Sequence, residues 1–140
     1  VYDTVATDGV PTFAGLPSST PHVGENIMGM PNALQHGLLV VQIRAVIEYA
    51  IQTQAVVNYL PLAKSLGVFS GGKQLALALA SIMEEDHRDG RPLTCALVIS
   101  SVKGMPGDGF FVKARSLGYQ MPYGEDRFWK SQCQALGVTP

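Results

Sequence analysis

Between Asn58 and Phe111 the apolar and polar positions follow one another as a short helix, a glycine turn, a long helix, an apolar strand and a glycine-proline hairpin. Residues 59–66 put Leu62, Ala63 and Leu66 on one side of two helical turns. Pro61 suits the first of those turns, where its missing N–H has no partner to lose, and Gly67 suits the C-terminal cap. Val68 and Phe69 then anchor a turn in which Ser70 is placed to cap the next helix and Gly71 and Gly72 ease the backbone. From Lys73 to about Asp89, Leu75, Leu79, Ile82 and Met83 face inward at helical spacing, and Ala76, Ala78 and Ala80 admit a close neighbour. Lys73, Gln74, Leu77, Ser81, Glu84 and Arg88 take the opposite face, and Gly90 ends the helix.

The run PLTCALVIS, residues 92–100, is rich in β-formers and predicts a strand buried on both faces or nearly so. The glycines that follow predict a hairpin over 102–109, with Pro106-Gly107 at the centre of a type II turn. Beyond it, Phe111, Ala114 and Leu117 recur every three residues, which favours a short helix over a return strand. A last helix is expected from Glu125 to Leu136, with Phe128 and Trp129 as its apolar anchor and a partner required for the indole N–H.

Upstream, Asn32 is placed to cap a helix through about residue 53, unless Gly37 delays its start. Leu39, Ile43, Val46, Ile47 and Ala50 form its stripe, Leu38, Val41 and Ala45 widen it, and Gln35, Gln42, Arg44 and Glu48 mark the wet side. Residues 1–32, with Pro11, Pro17, Pro21 and Pro31 among scattered glycines, have no sustained period and predict an extended arm, either flexible or pinned by Phe13, Leu16 and Ile27. The expected organisation is therefore an arm over 1–32 and one domain over 33–140. Its fold class is mainly α with a small β component, a winged helix-turn-helix-like domain carrying a C-terminal helix.

Composition changes this picture in two ways. At 140 residues the chain can bury about two-thirds of its unfolded surface. With 46% hydrophobic and 15% charged residues, it is apolar enough to predict a homo-oligomer, a dimer by default. The net charge of −1 hides a middle segment, residues 57–118, in which seven basic residues stand against five acidic ones. That excess suits a phosphate-binding surface but is far below a pronounced basic footprint.

Cys95 and Cys133 lack metal-ligand spacing, and His22, His36 and His87 are scattered, so no metal or other cofactor is expected. Apolar runs such as Leu38 to Val41 are far short of the roughly 20 residues that span a bilayer. A soluble, cytoplasmic protein with no membrane partner is expected.

The residues Gly90-Arg91-Pro92-Leu93-Thr94, Ala96-Leu97-Val98-Ile99 and Gly104-Met105-Pro106-Gly107-Asp108-Gly109-Phe110 resemble a pattern in small, largely uncharacterised bacterial and phage proteins. That resemblance implies a compact domain and no activity. Tyr59-Leu60-Pro61-Leu62-Ala63 through Leu66-Gly67 is similar to the DNA-binding domain of alkylguanine alkyltransferases and alkyltransferase-like proteins, where a short helix, a recognition helix and an apolar strand come in this order. Their Pro-Cys-His-Arg motif falls near Val98-Ile99-Ser100-Ser101, where neither cysteine nor histidine is present, so the likeness implies the scaffold without alkyl transfer.

In a helix-turn-helix the second helix enters the major groove by its N-terminal residues. Here that directs Ser70, Lys73, Gln74 and Leu77 toward bases, with Lys64, Arg91 and Lys103 near the DNA backbone. Glu84, Glu85 and Asp86 oppose it, since each repels phosphate. The alternative is a protein-interaction or regulatory module on the same scaffold. An enzyme requires a pocket joining Cys95, His87 or the carboxylates of 84–89, a stretch that otherwise reads as a charged, exposed helix end.

Overall fold

The computed structural model describes residues 32–140, so the expected arm lies outside the described residues except for Asn32. Among the described residues five α-helices and a two-stranded parallel sheet follow in the order α1 (Asn32–Gln52), β1 (Val57–Asn58), α2 (Tyr59–Leu66), α3 (Lys73–Arg88), a 3-10 turn (Thr94–Leu97), β2 (Val98–Ile99), α4 (Asp108–Ser116) and α5 (Glu125–Ala135). The mainly helical class with a small β component is the one the sequence predicts.

Gly37 does not delay α1, which begins at Asn32 and runs through it. The helix buries Leu39, Ile43, Ile47 and Ala50, and leaves Leu38, Val41 and Ala45 on its outer face rather than widening the buried stripe. Arg44, expected on the wet side, is half-buried. On α3, Leu75, Ile82 and Met83 are buried as the spacing predicts, joined by Ala78.

Two glycines close the helices that frame the middle of the chain. At Gly67, φ is 71°, the left-handed region open to glycine at no steric cost. There the Val68 N–H donates to Ala63 O at 3.0 Å and the Gly67 N–H to Lys64 O at 3.2 Å, satisfying the last carbonyls of α2. Gly90 repeats the closure for α3, with the Arg91 N–H on Asp86 O at 2.9 Å. Ser70 is not the cap of α3: Gly72 holds that position and no side chain caps it.

The segment from Leu93 to Ile99 is the middle of the core, with every residue buried except half-buried Thr94. It makes up most of the nine-residue strand expected over 92–100, yet only Val98 and Ile99 are a strand. The reason is the partner. Val57 and Asn58 alone run beside it, pairing in parallel with Val98 and Ile99, before Pro61 and α2 turn the chain away. Several of the remaining backbone groups find side chains in place of a ladder: Leu93 N–H donates to Gln132 Oε1 at 2.9 Å, Thr94 N–H to Asp86 Oδ2 at 3.0 Å, and Ala96 O accepts the Trp129 indole N–H at 2.8 Å.

The hairpin is also smaller than expected. Ser100 and Met105 form a single antiparallel bridge, and the glycine with positive φ is Gly104, at 71°. Gly107 has a φ of −69° and caps α4, so Pro106-Gly107 is not the centre of a type II turn. Helix α4 starts directly after it, as the three-residue spacing favours, and takes the place of a return strand.

Candidate functional site

Asp86 continues the inward stripe of α3, four residues after Ile82, and its side chain is fully buried. A lone buried carboxylate is strongly disfavoured, and here both oxygens have partners. Arg44 Nη1 from α1 and Arg91 Nη2 each reach Oδ1 at 3.0 Å. The Thr94 N–H and hydroxyl donate to Oδ2 at 3.0 and 2.6 Å. Arg44 also holds Glu85 at 2.7 Å. Partial burial works against the Arg44 charge, but Glu85 and Asp86 outweigh it and hold its pKa above the ordinary value. The stretch 84–89 is therefore not simply an exposed charged end; its central carboxylate is a structural hub joining α1, α3 and the loop into the core.

This hub redistributes the expected DNA contacts. Arg91 is committed to Asp86 and, at 3.3 Å, to Asp89. Lys103 is paired with Asp108 at 2.7 Å, an ion pair that draws the Asp108 carboxyl below its ordinary range. Lys64 and Lys73 are exposed, and neither enters an ion pair or side-chain hydrogen bond with the described residues. Gln74 and Leu77 are exposed beside Lys73 on the first two turns of α3. Ser70 is half-buried in the turn before them.

The acidic residues expected to repel phosphate are each neutralised: Glu84 by Lys113, Glu85 by Arg44, Asp86 by two arginines. They are also distant along the helix. At roughly 1.5 Å of rise per residue, Glu84 lies about 16 Å from Lys73. No Asp or Glu occurs anywhere in residues 49–83.

Beside this surface a cleft of about 510 Å³ opens between α2, α3, β2 and α4. Leu79, Ala80 and Met83 form its α3 wall, Phe110 and Lys113 its α4 wall, and Cys95 and Val98 lie at its base. Leu60 and Val102, both largely exposed, stand at its mouth. Half-buried Tyr59 also lines it, and burial pushes its phenol above the ordinary pKa.

The cleft takes in Cys95 but not His87, which hydrogen-bonds Tyr119 at 3.2 Å. Burial first, and then the charge of Asp86, drive the Cys95 thiol far above its ordinary pKa, and its S–H faces Leu79 O at 3.5 Å. It is a packed thiol and not a nucleophile at neutral pH. Burial likewise pushes the Cys133 thiol up to about 11. Among the described residues no group of His, Cys, Asp or Glu is placed to hold a metal ion, and no helix is long and apolar enough to cross a membrane.

The sequence reading missed both the Asp86 hub and the cleft. Asp86 had a signal, since it stands in register with the apolar stripe. No family model, curated protein or solved structure matches the chain.

Proposed function

We propose that the chain binds nucleic acid, with duplex DNA as the target, through the first two turns of α3 and the turn that precedes them. The observation that carries this reading is the pair of exposed cations, Lys64 and Lys73, which have no ion-pair partner among the described residues and lie within a stretch of sequence free of carboxylates. On this reading α2 and α3 act as a helix-turn-helix, with the loop around Lys103 in the position of a wing. Gln74 and Leu77 meet base edges, Ser70 supports the turn, and Lys64 and Lys73 contact phosphate. Arg91 and Lys103, held by carboxylates, are left out of the backbone contacts.

Anisotropy of a labelled mixed-sequence duplex tests this reading. At about 50 mM salt the parent chain binds, and Lys64→Ala and Lys73→Ala each weaken binding and reduce the slope of log K against log salt by about 1. Lys103→Ala leaves that slope unchanged, because its charge is already answered by Asp108. Failure to bind at low salt, or full binding by both lysine variants, overturns the reading.

A second reading is a protein-interaction module without nucleic-acid binding. The outer face of α1 favours it: Leu38, Val41 and Tyr49 are exposed there by 41%, 66% and 68%, at the spacing of one helical stripe. A second copy of the chain is the partner that its apolar composition suggests.

A further inference from the structure

The cleft has a chemistry of its own, independent of the DNA reading. Its size falls within the roughly 300–1,000 Å³ of small-molecule sites. Small residues line it on both sides, Ala76 and Ala80 on α3 and Gly107 and Gly109 on the α4 side, leaving a slot that larger side chains would fill. Met83 and Phe110 lie among them as soft, polarisable surfaces suited to an aromatic ring.

The polar groups are confined to a few positions. Among the described residues Lys113 is the single charged residue of the lining, and Ser70, Ser100 and Ser101 supply hydroxyls. Among the described residues no carboxylate lines the cleft, although Glu84 holds the Lys113 ammonium from outside it. An apolar slot with one cation and several hydroxyls, and no anion, complements a flat apolar body with a single negative head.

We infer that this cleft binds a small aromatic carboxylic acid, its ring in the slot between α3 and α4 and its carboxylate on Lys113 in competition with Glu84. Competition with Glu84 separates this site from a merely greasy surface. A neutral ligand of the same shape gains the slot and nothing from Lys113, whereas the acid gains both. Removing the Glu84 charge frees the ammonium for the ligand, so a substitution outside the lining strengthens binding.

Titration calorimetry of the full chain with 2-naphthoate and with 2-naphthalenemethanol tests this. The parent chain is expected to bind naphthoate saturably at one site and more tightly than the alcohol. Lys113→Gln weakens the acid roughly tenfold, the scale of one charge-assisted hydrogen bond, and leaves the alcohol unchanged. Glu84→Gln tightens the acid alone.

Gly109→Leu removes both ligands. A Cβ at Gly109 meets nothing within 4 Å, so the first atom of the added side chain has room. Thermal melting verifies that fold, and Ala80→Leu blocks the slot from the opposite wall should the first variant melt early. No saturable binding of naphthoate at millimolar concentration overturns the inference. So does equal affinity for acid and alcohol, or undiminished binding by a folded blocking variant.

Discussion

Asp86→Ala is expected to lose about 3–5 kcal/mol of stability, the range for breaking a buried ion pair from one side. The substitution deletes a fully buried carboxylate and strands the groups that faced it. Arg44, with about a quarter of its side chain exposed, keeps only Glu85, and the Thr94 N–H loses its acceptor. Arg91 is half-exposed and recovers water, so its share of the loss is small. Asp86→Asn separates shape from charge: it preserves one acceptor for Thr94 and loses the attraction of both arginines. Urea unfolding read as a change in midpoint at constant slope measures the effect. A midpoint for Asp86→Ala equal to that of the parent would show that the hub contributes nothing.

Trp129→Ala carries the second large effect, about 3–5 kcal/mol for a large aromatic removed from a packed interior. Trp129 is 5% exposed and is the largest side chain that α5 inserts into the core. Its indole N–H donates to Ala96 O at 2.8 Å, one of the side-chain contacts that stand in for a strand ladder around residues 93–97. Trp129→Phe keeps most of the apolar contact and leaves that carbonyl short of its donor, at a cost of about 1–3 kcal/mol. The same unfolding measurement applies. A tryptophan loss below the phenylalanine loss would contradict the packing described for α5.

The helices were legible because their signals are local. Pro61 and Gly67 bracket α2, Gly90 ends α3, and the need of Trp129 for a hydrogen-bond partner is met. What was not legible depends on partners distant in sequence. The apolar run 92–100 carries the residues of a strand, but strand length is set by the neighbour, and only Val57 and Asn58 lie beside it. Pro106-Gly107 is a turn-forming pair, yet Pro106 is buried and Gly107 is spent as a helix cap, leaving the turn to Gly104.

The candidate site divides in the same way. Lys64, Lys73, Gln74 and Leu77 are exposed where helical spacing puts them. Arg91 and Lys103, expected near the DNA backbone, are committed by the fold to carboxylates. Asp86 was readable in part: it follows Leu75, Leu79 and Ile82 along one stripe, and a charge in such a register announces a buried partner. Nothing in the spacing of residues identified Arg44, forty-two positions earlier, as that partner. The cleft was invisible for the same reason, since its walls come from α3 and α4 and its base from the segment between them.

The claim that the start of α3 is a DNA-binding surface is tested most directly by amide chemical shifts of the isotope-labelled chain during titration with a mixed-sequence duplex at low salt. Shifts are expected to concentrate at Lys64 and from Ser70 to Leu77 and to be reversed by added salt, with the amides around Asp86 and along α5 undisturbed. Shifts confined to the outer face of α1, or no shifts at any duplex concentration, would contradict it.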